Sequence, residues 1–334
     1  MIIDAIKKLV DIPSPSGYTE NVIVAIEEAL IGKNYHVSRT YKGSLIVSTV
    51  ADPDLMIMGH IDTLGGMVSE ITSSGTLRVS QLGGYPPNSF EGEYVSVQTM
   101  TDKAYRGTFL LDNPAAHVNK EVKDTKRSMQ NMHIRLDAEV TSIDDVKKLG
   151  ISVGDFIFFD PRFEATDTGY IKSRFMDDKA CSGIMLDILQ NECEALKNKK
   201  VGFYFSNYEE VGHACPAGVP ESVKDILIAD MGVVGDGVTG EETKVSICAK
   251  DSAGPYDLSF RKILESLSIK NNIAYTVDVF PYYASDGTAL LNAGKDIRVG
   301  LIGPGVSASH GVERTHIKGI EATRQLIMAL IATV

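Results

Sequence analysis

Apolar residues recur at helical spacing across residues 2–10, and Asp11-Ile12-Pro13-Ser14-Pro15-Ser16-Gly17 ends that pattern with two prolines. Ser16 or Thr19 is placed to cap a second helix running to about Leu30. Residues 44–50 read as a strand. Leu55-Met56-Ile57-Met58-Gly59 is a nearly unbroken apolar run, the pattern of a strand covered on both faces. It delivers His60 and Asp62 at its C-terminal end, where open α/β sheets gather their ligand sites. In an extended His60-Ile61-Asp62 the two polar side chains share one face, so Asp62 could hold one imidazole nitrogen and leave the other free for a metal.

From about Gly66 to Glu164 the pattern changes to short β-type runs, at 76–79, 94–97, 107–110 and 132–136, separated by Gly, Pro and Asn turns. A helix is expected from Ser142 to Leu149, with Ser142 as its cap and Asp145 at the third position. A strand at 153–159 closes the region. An α/β pattern then resumes. Ile171-Lys172-Ser173-Arg174-Phe175-Met176-Asp177-Asp178-Lys179 sets two adjacent carboxylates between an extended run and a helix at about 180–195. Strands follow at 201–207, leading into Tyr208-Glu209-Glu210-Val211-Gly212, and at 225–230, finishing in Asp230. Further strands at 273–279 and 298–303 lead to Ser285-Asp286-Gly287 and to His310, before a helix at about 317–331. The expectation is an α/β domain in two parts, 1–65 and 165–334, with a β-rich domain, 66–164, inserted between them.

Composition narrows the function. Hydrophobic residues make up 43% and charged residues 23% of 334, which is ordinary for a globular chain with room for one large domain or two. A formal charge of -11 disfavours a nucleic-acid surface, which needs a basic patch. No apolar run is long enough to span a bilayer. Residues 1–10 lack the basic-then-apolar plan of a signal peptide, so the cytoplasm is the expected compartment. Cys181, Cys193, Cys215 and Cys248 form neither a short metal-binding pair nor a disulfide pattern and read as small apolar residues in a reduced environment. No GxGxxG follows the first strand and no Walker loop occurs, so there is no nucleotide signature.

Strand ends, or the loops just beyond them, present His60, Asp177, Glu209, Glu210, Asp230 and His310. A mixed histidine and carboxylate set of this kind suits two divalent metals with nitrogen and oxygen ligands. Such a pair, roughly 3.5–4 Å apart, needs one shared carboxylate, and Asp177 is central enough to be it. The adjacent glutamates allow one to bind metal while its neighbour stays free as a base. The bland alternative is a set of unrelated ion pairs and caps, because sequence does not show convergence. His36 and His133 flank extended segments and read as structural or exposed. His117 reads as a surface residue that could reach a neighbouring subunit, His213 could touch substrate, and His316 competes with His310 as a ligand. Ser173, Ser182 and Ser285 sit in no GxSxG elbow, which leaves serine-hydrolase chemistry without support.

Taken together, Gly59-His60-Ile61-Asp62-Thr63, Met176-Asp177-Asp178-Lys179, Tyr208-Glu209-Glu210-Val211-Gly212, Ala229-Asp230-Met231 and Ser309-His310-Gly311-Val312-Glu313 resemble the M42 family of dinuclear metallo-aminopeptidases. The resemblance covers essentially the whole chain. It implies a zinc-exopeptidase-like α/β fold, a mixed sheet with helices on both faces, carrying a barrel-like β-rich insertion that serves oligomerisation. It implies two divalent ions per subunit, Zn2+ or Co2+, one held by His60, Asp177 and Asp230 and the other by Asp177, Glu210 and His310. Asp62 would support His60, Asp178 would follow Asp177 through a cis peptide, and Glu209 would be the general base. The implied substrate is a peptide with a free N-terminus, with no nucleic-acid or membrane partner, and the implied assembly is a homo-oligomer, typically a dodecamer.

Three departures bear on substrate preference: Lys179 where the family often has Arg, Gly311 where Ser commonly follows the histidine, and Ser285-Asp286-Gly287 in place of a Gly-Thr-Asp type. The alternatives to set against peptide digestion are hydrolysis of a small non-standard or N-acetylated peptide or amide by the same site, and an inactive scaffold of the same fold.

Overall fold

The computed structural model describes residues 2–214 and 217–334. It divides into two compact units, one made of Met1–Thr63 with Arg162–Val334 and the other of Leu64–Pro161.

The first unit is built on a mixed sheet. Its main path runs His36–Arg39, Leu45–Ser48, Val201–Ser206, Leu55–His60, Asp225–Ala229, Arg298–Ser307, Glu313–His316, Tyr170–Ser173 and Glu164–Ala165. Leu55–His60 is parallel to both Val201–Ser206 and Asp225–Ala229, and Asp225–Ala229 is parallel to Arg298–Ser307. Every residue of Leu55–His60 and Val201–Ser206 is buried, so both faces of the sheet centre are covered, as the apolar run at 55–59 requires. The helix Met176–Asn191 supplies much of that cover and is buried from Met176 to Leu189. Gly183 lets the Ile2–Val10 helix press against it, since a Cβ there would lie 2.4 Å from Ile6 Cγ1.

Several elements escaped the periodicity. His36–Arg39 is exposed throughout and polar at three of its four positions, so it carries no strand pattern. Val245–Lys250, the helices Leu258–Lys270 and Asp286–Asn292, and the strand Glu313–His316 were also not expected. The helix expected at 180–195 becomes regular after the non-helical Asp177 and Asp178, runs to Asn191, and yields to a separate short helix Cys193–Leu196. Thr19 does precede the second helix, but its side chain makes no cap; its Oγ1 accepts from Asn207 Nδ2 at 2.9 Å instead.

The second unit is a closed six-stranded barrel of antiparallel neighbours, in the order Gly65–Ile71, Leu77–Leu82, Met132–Leu136, Ala104–Leu111, Tyr94–Gln98 and Phe156–Phe159. Tyr85, Phe90, Phe109 and Phe159 pack tilted or edge-on in its core. Ser142 caps Ile143–Lys148 by accepting the Asp145 N–H, as the sequence pattern requires. Cys181 and Cys248 are buried, Cys193 is half-buried, and Cys215 lies outside the described residues.

Candidate metal centre

Three mutually aligned parallel strands end side by side, and each end carries a polar group. His60 is the last residue of Leu55–His60 and sits opposite Ser206, the last of Val201–Ser206, with Glu209 and Glu210 three and four residues on. Asp230 follows Asp225–Ala229 directly. Asp177 arrives from Tyr170–Ser173 at the start of the buried helix, where Asp177 and Asp178 are non-helical and joined by a cis peptide. His310 lies in the loop between Arg298–Ser307 and Glu313–His316. Phe175, Tyr208 and His310 have φ of 66, 70 and 61°, a region in which side chains other than glycine are held only by their surroundings.

Asp177 stands between two imidazoles. Its Oδ1 is 3.0 Å from His60 Nε2 and its Oδ2 is 3.3 Å from His310 Nε2. Glu210 Oε2 is 3.7 Å from the same His310 nitrogen, and Glu209 Oε2 is 3.8 Å from His60 Nε2. His60, Asp177 and Glu210 offer ligand atoms that all lie within 4.8 Å of one another, a group able to hold a metal ion. Asp230 is buried beside them, within electrostatic reach of Asp177 and His60, with Oδ1 accepting its neighbour Met231's N–H at 2.6 Å.

His60 is steered from behind by the main chain, and here the sequence reading needs correction. Its Nδ1 donates to the Asp62 main-chain carbonyl at 2.9 Å, while the nearer Asp62 carboxylate oxygen is 3.7 Å away. A carbonyl only accepts, so the proton sits on Nδ1 and Nε2 is left facing Asp177. The Asp62 carboxylate serves other groups. It accepts from Ser16 Oγ at 2.5 Å, from the Glu209 N–H at 3.2 Å and from the Glu210 N–H at 3.4 Å. Ser14 donates to the Ile61 carbonyl and receives Lys179 Nζ at 2.6 Å, so the Pro-Ser-Pro-Ser break after the first helix locks the end of the central strand.

Glu313 was not recognised in the sequence as a working residue. Its Oε2 accepts the Asp177 N–H at 3.1 Å and its Oε1 accepts the His310 N–H at 2.9 Å, tying two candidate ligands together. Its place three residues after His310 was the available signal. His316 is engaged elsewhere: Nδ1 caps the helix Ile317–Ile331 and Nε2 faces the Thr168 carbonyl at 3.1 Å. His36, His117 and His213 are exposed, and His133 pairs with Asp112 in the barrel. His213 stacks on Tyr208 and is met by Lys42, outside the cluster. Ser182 donates to the His60 carbonyl and Ser285 caps the Asp286–Asn292 helix, so neither is poised as a nucleophile.

The donor set fits divalent cations. Asp62, Asp177, Asp178, Asp230, Asp286 and Glu313 are buried in these segments, as are most of the Glu209 and Glu210 side chains, whereas the buried side-chain cations are Lys179 and Arg174. Both oxygens of Asp178 and Oε1 of Glu210 are buried without a hydrogen-bond donor, apart from the weak Cys181 thiol beside Asp178. Unpaired buried carboxylates are costly unless a cation compensates them. Burial and neighbouring carboxylates therefore push Glu209 and Glu210 well up, and push Asp230 to about 7. For His60, burial opposes the charged form, but Asp177, Glu209 and Asp230 outweigh it and raise the imidazole. Asp177 moves the other way: burial would raise it, but His310 and His60 hold it well below the usual carboxylate range. Mixed imidazole and carboxylate donors are those of zinc and its first-row neighbours.

A sequence profile described as M42 glutamyl aminopeptidase matches residues 43–326. The YhfE protein of Bacillus subtilis (strain 168) is 42% identical over 330 residues, covering 97% of this chain and 95% of that one. Among solved structures, a TET aminopeptidase from the marine sediment archaeon Thaumarchaeota archaeon SCGC AB-539-E09 superposes with a TM-score of 0.88 at 18% identity, covering 100% and 97% of the two chains. The TET1 peptidase of Pyrococcus horikoshii, described as able to assemble into a tetrahedron or a large octahedral shell, gives 0.87 at 22%, covering 99% of each.

Proposed function

We propose that this chain, which belongs to the M42 glutamyl aminopeptidase family, removes N-terminal residues from peptides with a free N-terminus, using two divalent metal ions, Zn2+ or Co2+, and Glu209 as general base. The observation that carries the reading is Asp177, with His60 at one carboxylate oxygen and His310 at the other, the arrangement a carboxylate shared between two ions needs.

His60, Asp177 and Asp230 would hold one ion, and Asp177, Glu210 and His310 the other. Ions bound there supply Lewis acidity toward the scissile carbonyl and make nearby water more acidic. The protein's own groups do the rest. Glu209, with Oε2 3.8 Å from His60 Nε2, takes the proton from the attacking water and returns it to the leaving amine. Asp62 holds the main chain of the glutamate pair, so that Glu210 turns to the metal group and Glu209 stands beside it. Glu313 fixes Asp177 relative to His310.

Expectations about the whole assembly follow from the family: a homo-oligomer, with a dodecamer as the leading form and the barrel unit as its contact element, working in the cytoplasm. No helix among the described residues is long and apolar enough to cross a membrane.

The test pairs two isosteric variants. Glu209→Gln should abolish cleavage of aminoacyl anilides while metal content stays near two ions per chain. Glu210→Gln should lower metal content itself. Turnover retained by the first, or full occupancy in the second, counts against these roles. A panel that adds N-acetylated peptides and small amides separates peptide trimming from the other hydrolyses, and inactivity on all of them points to a scaffold.

A further inference from the structure

The metal ligands and Glu209 leave two buried acids of this region with unpartnered oxygens and no task, Asp178 and Asp286; Asp178 adjoins the shared ligand Asp177, whereas Asp286 comes from a separate helix. Asp286 is the first residue of the short helix Asp286–Asn292 and is 2% exposed. Its Oδ2 accepts from Ser206 Oγ at 2.5 Å. Ser206 is the residue in register with His60 across the two central parallel strands, and the Ile61 N–H bonds the Ser206 carbonyl at 2.9 Å. Asp286 is therefore pinned at the mouth of the same strand ends that carry the metal centre. Its other oxygen, Oδ1, is buried and has no partner.

We propose that Asp286 Oδ1 anchors the α-ammonium group of the substrate's N-terminal residue, an assignment that rests on the aminopeptidase reading above. A buried carboxylate oxygen without a partner is costly unless a donor or cation meets it. Among the described residues none hydrogen-bonds Oδ1, although His60 and Lys42 act on the carboxylate electrostatically. The Lys42 ammonium is held by the His213 main-chain carbonyl and over the Tyr208 ring. Asp286 also stands outside the group that could hold a metal, His60, Asp177 and Glu210. It lies within electrostatic reach of Glu209 and Asp230, so an ammonium beside it is also near the base and one candidate ligand. A primary ammonium brings three donors and one positive charge, which suits a carboxylate with a single free oxygen.

A chain with this anchor should distinguish a free N-terminus from a blocked or missing one through Asp286 in particular. The experiment uses the metal-loaded protein and two inhibitors, bestatin, which carries a free amine, and its des-amino counterpart, with affinities read by calorimetry. The wild type should prefer the amine by at least about tenfold, the scale of one charge-assisted hydrogen bond. In Asp286→Asn the preference should fall to about twofold, with metal content unchanged and the des-amino compound bound as before. A preference kept in the variant overturns the Asp286 assignment alone. No preference in the wild type overturns the aminopeptidase reading as well. Should the variant not fold, a crystal structure of the wild type with bestatin decides: the amine must lie about 3 Å from Asp286 Oδ1, and an amine bonded elsewhere refutes the proposal.

Discussion

The carboxylate of Asp62 accepts the main-chain N–H of Glu209 at 3.2 Å, and the same carboxylate takes the N–H of Glu210 at 3.4 Å. One buried acid thus sets the geometry of two others that lie in the turn after a different strand. Removing one of its acceptors loosens that turn. Asp62→Asn should lower kcat by roughly 10–100-fold, the usual range for a group that supports a ligand from behind, with substrate KM changed far less. Steady-state kinetics on the metal-loaded variant checks this, and an equal rise in KM contradicts it.

Ser16 acts one step further out, through its hydroxyl on Asp62. Ser16→Ala deletes a hydrogen bond worth about 1 kcal/mol, so kcat should drop by up to roughly tenfold. Ser16→Thr keeps the hydroxyl and should restore most of the rate. Failure of threonine to rescue would show that packing at this position, rather than the bond to Asp62, matters.

Glu313 holds Asp177 and His310 by their main-chain N–H groups. Glu313→Ala frees both, and metal affinity should fall roughly 10–100-fold. Competition against a fluorescent chelator reads this directly. Removing the metals from the wild type by chelation should lower the melting temperature, because the crowded carboxylates lose their compensating charge. Re-addition at about 100 times Kd should recover about 2.7 kcal/mol of stability. An unchanged melting temperature would mean that the buried acids are satisfied without metal.

Gly303 is a distant-looking position with a direct line to the site. A Cβ there would lie 1.7 Å from the Asp230 carbonyl oxygen, so the main chain carrying Asp230 must move. Gly303→Ala should cost about 1–3 kcal/mol of stability and reduce metal content together. Urea unfolding and metal analysis on one preparation test the coupling, and loss of stability with full metal content would break it.

Hydrogen bonds from Ser142 and Lys148, and from the Thr141 main chain, lower the Asp145 carboxyl to about 2 from 3.8. The unfolded chain therefore takes up this proton first, so the contribution is complete above about pH 4 and is lost as pH falls through about 2. Ser142→Ala should bring the Asp145 titration, followed by carboxyl NMR, back toward its ordinary value. A titration left in place would remove Ser142 as its main cause.

Much of this architecture is legible in the residues alone. The run Leu55 to Gly59 reads as a strand covered on both faces, because no polar position interrupts it, and it is buried at every position. Ser142 with Asp145 marks a helix start because the capping contacts are local. The strand His36–Arg39 was illegible because an exposed edge strand needs no apolar alternation. The helix Leu258–Lys270 buries few of its side chains, and the others leave its apolar stripe faint.

The sequence by itself determined which residue types were available and that His60, Glu209, Glu210 and Asp230 would follow strands. It could not determine their meeting, because His60 and Asp177 stand 117 residues apart and are joined only through the sheet's register. Nor could it determine the partners of Asp62. Alternation puts residues i and i+2 on one face only while the chain stays extended, and the strand ends at His60. Beyond that point the Asp62 main-chain carbonyl takes the imidazole, and the Asp62 carboxylate is freed to hold Ser16, Glu209 and Glu210.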